Sequence, residues 1–121
     1  MSGEDRRKYQ RVILNKPVIL ADESENWETE LIDISLKGVL LEKPDGFSSE
    51  NEGLYSIDIP LGQQGGPDIE MEAQLVHEEA DELGFCWEHI DDESFDHLQR
   101  LLLYNLGDAD EINRELSVLF G

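Results

Sequence analysis

The chain has 121 residues and a formal net charge of −20. Its length fits one compact domain, and such a charge opposes binding to DNA, RNA or anionic lipid surfaces. The longest apolar runs, such as residues 101–103, are far shorter than the roughly 20 residues that a membrane-spanning helix needs. The start of the chain has no apolar stretch of the kind found in secretory signals. We therefore expect a single cytoplasmic domain that is monomeric and inserts into no membrane.

Six short segments have the composition or the alternation of β-strands, and they follow eight polar residues that we expect to form a flexible arm. The six segments cover residues 12–20, 27–32, 39–42, 54–59, 69–76 and 83–90. The first has two β-branched runs separated by Asn15-Lys16-Pro17, which predicts one long, interrupted strand. In the fifth, the odd positions from Ile69 to Leu75 are apolar, so one face of that strand should be buried.

After Ile90 the apolar residues take a helical spacing. Asp91 or Asp92 can cap the start of a helix of about four turns, and Gly107 can end it. A second, shorter helix should begin around residues 108–110. Its apolar positions are Ile112, Leu116, Leu119 and Phe120. Six strands followed by two helices indicate an all-β or α+β domain, in which a small barrel would avoid open sheet edges.

Cysteine and histidine offer little for metal chemistry in this sequence. Cys86 is the only cysteine, which excludes an intramolecular disulfide and most cysteine-based metal sites. It lies in the apolar stretch 84–87, so we expect it to be a buried small hydrophobe. His77, His89 and His97 lack the spacing of a metalloprotease helix or a zinc finger. We therefore expect neither a metal site nor a cofactor.

The basic residues are concentrated at the start of the chain. Residues 1–16 carry a net charge of +3, whereas the other 105 residues carry −23. Arg7 and Arg11 lie four residues apart where the arm meets the first strand, and Arg6 and Lys8 add charge beside them. A guanidinium group donates two parallel hydrogen bonds that suit a phosphate or the O6/N7 edge of guanine. The segment is therefore either a phosphate or guanine site, or a basic tail that pairs with acidic groups downstream.

A second polar motif, Asp33-Ile34-Ser35-Leu36-Lys37-Gly38, connects the second and third predicted strands. An ionised Asp33 can accept hydrogen bonds from guanine N1–H and N2–H₂, and the Ser35 hydroxyl can donate to a phosphate or cap the local backbone. Gly38 permits a positive φ or the close approach of a ligand. Asp-x-Ser at a strand end is also an ordinary turn motif, so this segment has a purely structural interpretation as well.

The order of the two motifs, Arg-x-x-x-Arg before the first strand and Asp-x-Ser-x-x-Gly between strands two and three, resembles the PilZ domain family. The resemblance covers essentially the whole chain, because the strand count and the C-terminal helices also agree with it. It implies a six-stranded antiparallel β-barrel with helices packed outside. We expect a single domain over residues 1–121, with the arm at 1–8, the barrel at 9–90 and the helices at 91–121. The resemblance also implies that the domain binds cyclic di-GMP, often as an intercalated dimer of the ligand.

The resemblance also assigns roles to individual residues. Arg7 and Arg11 would contact guanine edges and phosphates, Asp33 and Ser35 would face guanine and phosphate, and Gly38 would make the turn. His77 is an addition of ours, because it could flank the barrel mouth and stack on a guanine. The candidate ligand-binding residues are Arg6, Arg7, Lys8, Arg11, Asp33, Ser35, Gly38 and His77.

The expected function is that of a receptor, not of an enzyme. The arm should order over the bound nucleotide and so alter a surface that an effector protein reads. The usual settings of the family are bacterial motility, adhesion and the control of exopolysaccharide in biofilms. The alternative is an adaptor of the same fold that binds no nucleotide and acts only through protein contacts. An enzyme comes third, because the sequence has no Ser/His/Asp nucleophile pattern, P-loop or dinucleotide fingerprint.

Overall fold

Six strands and two helices form the part of the chain that the computed structural model describes, which is residues 10–48, 53–62, 68–107 and 109–120. They are β1 (Val12–Ala21), β2 (Asn26–Ile34), β3 (Gly38–Glu42), β4 (Tyr55–Pro60), β5 (Asp68–Glu78), β6 (Glu82–Ile90), α1 (Asp92–Leu106) and α2 (Ala109–Phe120). All six predicted strands and both predicted helices are present. Most of their ends agree with the predicted ends to within one or two residues.

The strands form a closed antiparallel barrel in the order β1-β2-β3-β6-β5-β4. Pairing of β1 with β4 closes the sheet, which removes the open edges that would otherwise expose unpaired backbone groups. The register of β1 on β2 shifts between Ile13 and Lys16, where the sequence predicted an interruption. The fold class expected from the sequence, a six-stranded antiparallel barrel followed by helices, is confirmed.

The inner wall of the barrel carries the alternating apolar residues. Along β5, Ile69, Met71 and Ala73 are buried while the intervening glutamates are exposed. The buried residues of all six strands belong to one cluster, which also contains Leu98 of α1 and Ile112 of α2. The two helices therefore complete the barrel core, since they bury their apolar faces against the same cluster.

Helix α1 has the caps that its sequence predicted. The side chain of Asp91 accepts a hydrogen bond from the backbone N–H of Ser94, with 2.6 Å between Oδ1 and N, and this satisfies one of the free amides of the first turn. Gly107 follows the helix with a φ of 71° and donates its backbone N–H to the Leu103 carbonyl. Within the described part of the chain, neither helix has the length and apolar character needed to cross a membrane.

Two expectations need correction. His77 was expected to follow the fifth strand, which was predicted to cover residues 69–76, but β5 continues as far as Glu78 and includes it. Cys86 is half-buried rather than buried. It alternates with the buried Phe85, so it lies on the outer wall of the barrel, where its strand partner in β3 is Gly38.

Candidate functional site

The two sequence motifs meet at one ion pair. Nη1 of Arg11 lies 2.8 Å from Oδ1 of Asp33, although the two residues are 22 positions apart in the sequence. Pairing of β1 with β2 brings them together, since Ile13 is the strand partner of Asp33. The Arg11 side chain is 42% exposed and that of Asp33 is 14% exposed. The Arg11 side chain is therefore partly open to solvent, whereas that of Asp33 is largely covered.

Ser35 shapes the turn that follows Asp33. Its backbone N–H donates to the Gly38 carbonyl over 2.9 Å, and its Oγ lies 3.3 to 3.4 Å from the backbone nitrogens of Gly38 and Lys37. The residue is only 8% exposed. Of the two roles that the sequence left open, these contacts match capping of the local backbone.

Glycine is needed at position 38 because the backbone of another strand approaches closely there, and not because the backbone is left-handed. Its φ is not positive, and it is the first residue of β3. A Cβ at this position would lie 2.6 Å from the carbonyl oxygen of Phe85, which is nearer than any real side chain comes. The expectation that Gly38 makes the turn is corrected on this point, since what requires glycine is the packing of β3 against β6.

His77 lies on the same outer wall as Asp33, in the same cross-strand row. The row runs from Asp33 to Leu40, then to Gly84 and finally to His77, each being the strand partner of the next. Directly opposite residues of antiparallel strands point to the same face. Three strand spacings of about 4.8 Å place Asp33 and His77 roughly 14 Å apart along the wall.

The barrel surface between Asp33 and His77 is apolar and carries little side-chain bulk. Leu40 is half-buried and Gly84 has no side chain. A Cβ at Gly84 would come within 3.1 Å of the Cβ of His77, so the imidazole is packed closely over this position. Nε2 of His77 lies 3.6 Å from a Glu79 carboxylate oxygen. The row therefore has a polar group at each end and a shallow apolar surface between them.

Three of the candidate ligand residues cannot be placed. Arg6, Arg7 and Lys8 lie outside the described residues. The described chain begins at Gln10, whose backbone N–H donates to Oε2 of Glu115 in α2 over 2.8 Å. Glu115 is only 3% exposed. Sequence reasoning missed this residue, although a carboxylate three positions after Ile112 on the apolar side of α2 was a signal that could have found it.

Trp87 is a second residue whose structural role the sequence did not indicate. It is half-buried and forms hydrogen bonds with the motif turn, residues 35–38. Its Nε1–H donates to the Leu36 carbonyl over 2.8 Å. The Lys37 ammonium donates to the Trp87 carbonyl over 2.8 Å and lies 4.0 Å from the centre of the indole ring. No sequence pattern predicted this contact, because the residues are 50 positions apart.

Two sets of side chains bring possible metal ligands within 4.8 Å of one another. They are His77, Glu79 and Glu82, and Asp58, Asp68 and Glu70. Both lie on the surface of a very acidic chain, where carboxylates gather without an ion. Their distances alone do not make a metal site, and the absence of a metal site stays a prediction.

A groove of about 680 Å³ lies on another part of the wall, along β1, β4, β5 and the end of β6. None of the candidate ligand residues that the structure describes lines it. Its carboxylates come from Asp58, Glu70, Glu72 and Asp91. The pKa of Asp58 rises from its ordinary 3.8 to about 6, chiefly because the carboxyl group is partly buried. A hydrogen bond shared with Asp68 and the negative charges of Asp68 and Glu70 raise it further. The carboxylates of the groove therefore disfavour a ligand with two negative charges.

Several solved structures have folds similar to that of this chain. The PilZ domain of YcgR from Escherichia coli, determined with c-di-GMP, has a TM-score of 0.65 and 20% identity, over 88% of this chain and 95% of that chain. The PilZ domain of CeSA from a cellulose-synthesizing bacterium has a TM-score of 0.63 and 17% identity, over 82% and 99% of the two chains. These identities establish likeness of fold.

The inhibitor of motility MotI/DgrA from Bacillus subtilis has a TM-score of 0.64 and 21% identity, over 84% of this chain. The match spans about half of that protein, 50% of its length. The PilZ domain family model matches residues 5–104 of the present chain, a range that includes both motifs, all six strands and most of α1. Barrel topology, motif order and family match agree, and the chain belongs to the PilZ domain family.

Proposed function

We propose that this protein is a non-catalytic receptor for cyclic di-GMP, and that the ligand binds on the outer wall of the barrel beside Arg11 and Asp33. The observation that carries the proposal is the 2.8 Å contact between Nη1 of Arg11 and Oδ1 of Asp33. It joins the ends of two motifs that each have an ordinary structural explanation when taken alone. The YcgR domain of similar fold was determined with this ligand, which supports the choice of nucleotide.

The chemistry of the pair suits a guanine nucleotide. The Asp33 carboxylate can accept from guanine N1–H and N2–H₂, and the exposed guanidinium of Arg11 can turn to a phosphate or to the O6/N7 edge. The wall over Leu40 and Gly84 offers an apolar floor for a base, and His77 offers a ring at its far end. We propose that Arg6, Arg7 and Lys8, on the arm that precedes Gln10, close over the phosphates.

Closure of the arm over the ligand would pass the signal to an effector protein. The three cations of the arm would gain fixed partners when the phosphates are present, so the arm would adopt a new position with the ligand. An effector protein that reads this changed surface would then respond to nucleotide concentration. We propose control of motility, adhesion or exopolysaccharide production as the biological setting.

Isothermal titration calorimetry with cyclic di-GMP tests the site directly. We expect Arg11→Ala and Arg7→Ala each to weaken binding by about 5- to 150-fold, the equivalent of the roughly 1–3 kcal/mol of a good bidentate contact. Arg100→Ala is the matched control. Arg100 pairs with Asp96 on α1 at 3.1 Å, so it removes an equal charge and an equal ion pair at a distance from the site. Wild-type affinity in Arg11→Ala would show that the site is wrongly assigned.

An adaptor that binds no nucleotide is the second candidate, and one observation favours it. The Arg11–Asp33 pair is complete without a ligand, as a purely structural ion pair would be. The two candidates differ in a titration of ¹⁵N-labelled protein with cyclic di-GMP. A receptor would show shifted amide signals over residues 33–38 and in the arm, whereas an adaptor would give an unchanged spectrum.

A further inference from the structure

Trp87, on β6, holds the motif turn (residues 35–38) in place through hydrogen bonds to the backbone of the turn. Its indole Nε1–H donates to the Leu36 carbonyl over 2.8 Å. Its backbone N–H donates to the Lys37 carbonyl over 3.1 Å. One residue of β6 thus satisfies two consecutive carbonyl groups of the turn, and partly buried backbone carbonyl groups require such partners.

Lys37 completes the attachment from the other direction. Its ammonium group donates to the Trp87 carbonyl over 2.8 Å and lies 4.0 Å from the centre of the indole ring. A cation this close to an indole face is attracted by the ring as well as by the carbonyl. We refer to Trp87, Lys37 and the carbonyl groups that they bond as the Trp87 clamp.

The clamp is continuous with the barrel core and with α1. Leu36 is fully buried, at 0% exposure, in the same cluster as Leu98 of α1. The indole of Trp87 also meets the ring of Phe95 edge-on, with 5.9 Å between the ring centroids. Any movement of the turn that carries Ser35 and Gly38 would therefore disturb contacts with the first turns of α1.

We infer that Trp87 is a positioning residue for nucleotide binding. It holds the 35–38 turn, which Ser35 caps, in the shape that presents Asp33 to the ligand, and it links the state of that turn to α1 through Phe95. The inference rests on the proposed function in naming the nucleotide. The clamp itself is a property of the protein without ligand, so it can be tested separately.

Trp87→Phe is the discriminating variant, because it keeps a ring beside Lys37 and Phe95 but removes the Nε1–H donor. Loss of this bond leaves the Leu36 carbonyl unpaired and loosens the turn, and we expect the affinity for cyclic di-GMP to fall about tenfold. Trp27→Phe is the matched control. Trp27 packs on Phe47 at 5.1 Å, near the start of β2 and about 20 Å along the strand from Asp33. The affinity of the Trp27→Phe variant for cyclic di-GMP should equal that of the wild type.

Affinity is measured by calorimetry at a temperature where both variants are folded, as judged from thermal unfolding curves. A double-mutant cycle with Ser35→Ala separates positioning from general loss of stability. We expect the effects of Trp87→Phe and Ser35→Ala on affinity to be non-additive, and those of Trp27→Phe and Ser35→Ala to add. Wild-type affinity in Trp87→Phe, or additive effects in the first pair, would overturn the inference.

Fluorescence gives a second readout that a merely structural role would not change. The chain has two tryptophans, so Trp27→Phe leaves Trp87 as the only one. Its emission should change as cyclic di-GMP is added, and the titration should give the same dissociation constant as calorimetry. Unchanged emission at saturating ligand would overturn the link between the turn and α1.

The two proposals fail in different ways. Absence of binding in the wild type would overturn the proposed function, and the clamp would then be judged by amide hydrogen exchange in the free protein. We expect faster exchange at Lys37 and Gly38 in Trp87→Phe than in Trp27→Phe, because the turn opens more often. Equal exchange in the two variants would overturn the clamp whether or not the protein binds nucleotide.

Discussion

Asp58 provides a stability prediction whose sign follows from its surroundings. It lies on β4 beside Asp68 and Glu70, and its Oδ1 is buried and has no hydrogen-bond partner among the described residues. The other acidic groups and the burial disfavour its charged form, so its pKa rises from 3.8 to about 6. The perturbation is Asp58→Asn, which keeps the shape, cannot ionise and can still donate a hydrogen bond to Asp68.

The size and the sign of the effect of Asp58 on the free energy of unfolding come from the difference between its pKa values in the folded and unfolded states. A pKa raised on folding stabilises the fold fully below pH 3.8, and this contribution is lost as the pH rises through about 6. A shift of this size corresponds to roughly 3 kcal/mol. Because Asp58 is only half-buried, solvent screens part of it, and we expect about 1 kcal/mol. Asp58→Asn should therefore be more stable than the wild type at pH 7.5, and its advantage should shrink at pH 5.

Urea denaturation followed by circular dichroism at pH 5 and pH 7.5 measures the free energy of unfolding of both proteins. Glu30→Gln is the control, because it removes one negative charge from an exposed position on β2, which β1 separates from β4. Its effect should be small at both pH values. If Asp58→Asn were less stable than the wild type at pH 7.5, or if its advantage did not depend on pH, the account of Asp58 would be wrong.

Two further predictions concern the backbone around the site. Gly38→Ala should cost about 2 kcal/mol of stability in urea denaturation, because its Cβ would meet the Phe85 carbonyl oxygen at 2.6 Å. Gly84→Ala should cost less, since its nearest neighbour is a side-chain atom at 3.1 Å; equal costs would refute the explanation. Glu115→Ala should cost about 2 kcal/mol, because it removes the buried carboxylate that accepts the part-buried hydrogen bond from the Gln10 N–H, whereas Glu115→Gln, which retains an oxygen acceptor, should cost less. A loss below about 0.5 kcal/mol in Glu115→Ala would contradict this role.

Local sequence signals were sufficient for the elements of the fold. Alternating apolar residues predicted β5, and the burial of Ile69, Met71 and Ala73 agrees with it. Asp91 or Asp92 and Gly107 predicted the two ends of α1, and the structure has its caps at Asp91 and Gly107. These features depend on residues within a few positions of one another, where side-chain periodicity and backbone capping act directly. For the same reason the sequence indicated six strands and two helices in the correct order.

The candidate site could be predicted only as a set of residues. The spacing of Arg7 and Arg11, the segment Asp33–Gly38 and their order on the strands pointed to the family, and the family match supports that identification. The contact between Arg11 and Asp33 needed the register of β1 on β2. The sequence also left open whether Ser35 caps the backbone or faces a ligand, because both roles use the same hydroxyl group.

The sequence by itself determined the strand pattern, the helix caps and the motifs that identify a PilZ domain. Only the tertiary structure decided that His77 shares a row with Asp33 on the outer wall, that Gly38 is required by the Phe85 carbonyl, and that Trp87 fastens the motif turn. Each of these relations joins residues far apart in the chain. Their partners are set by closure of the barrel and by the register of one strand on the next, which no local pattern of residues specifies.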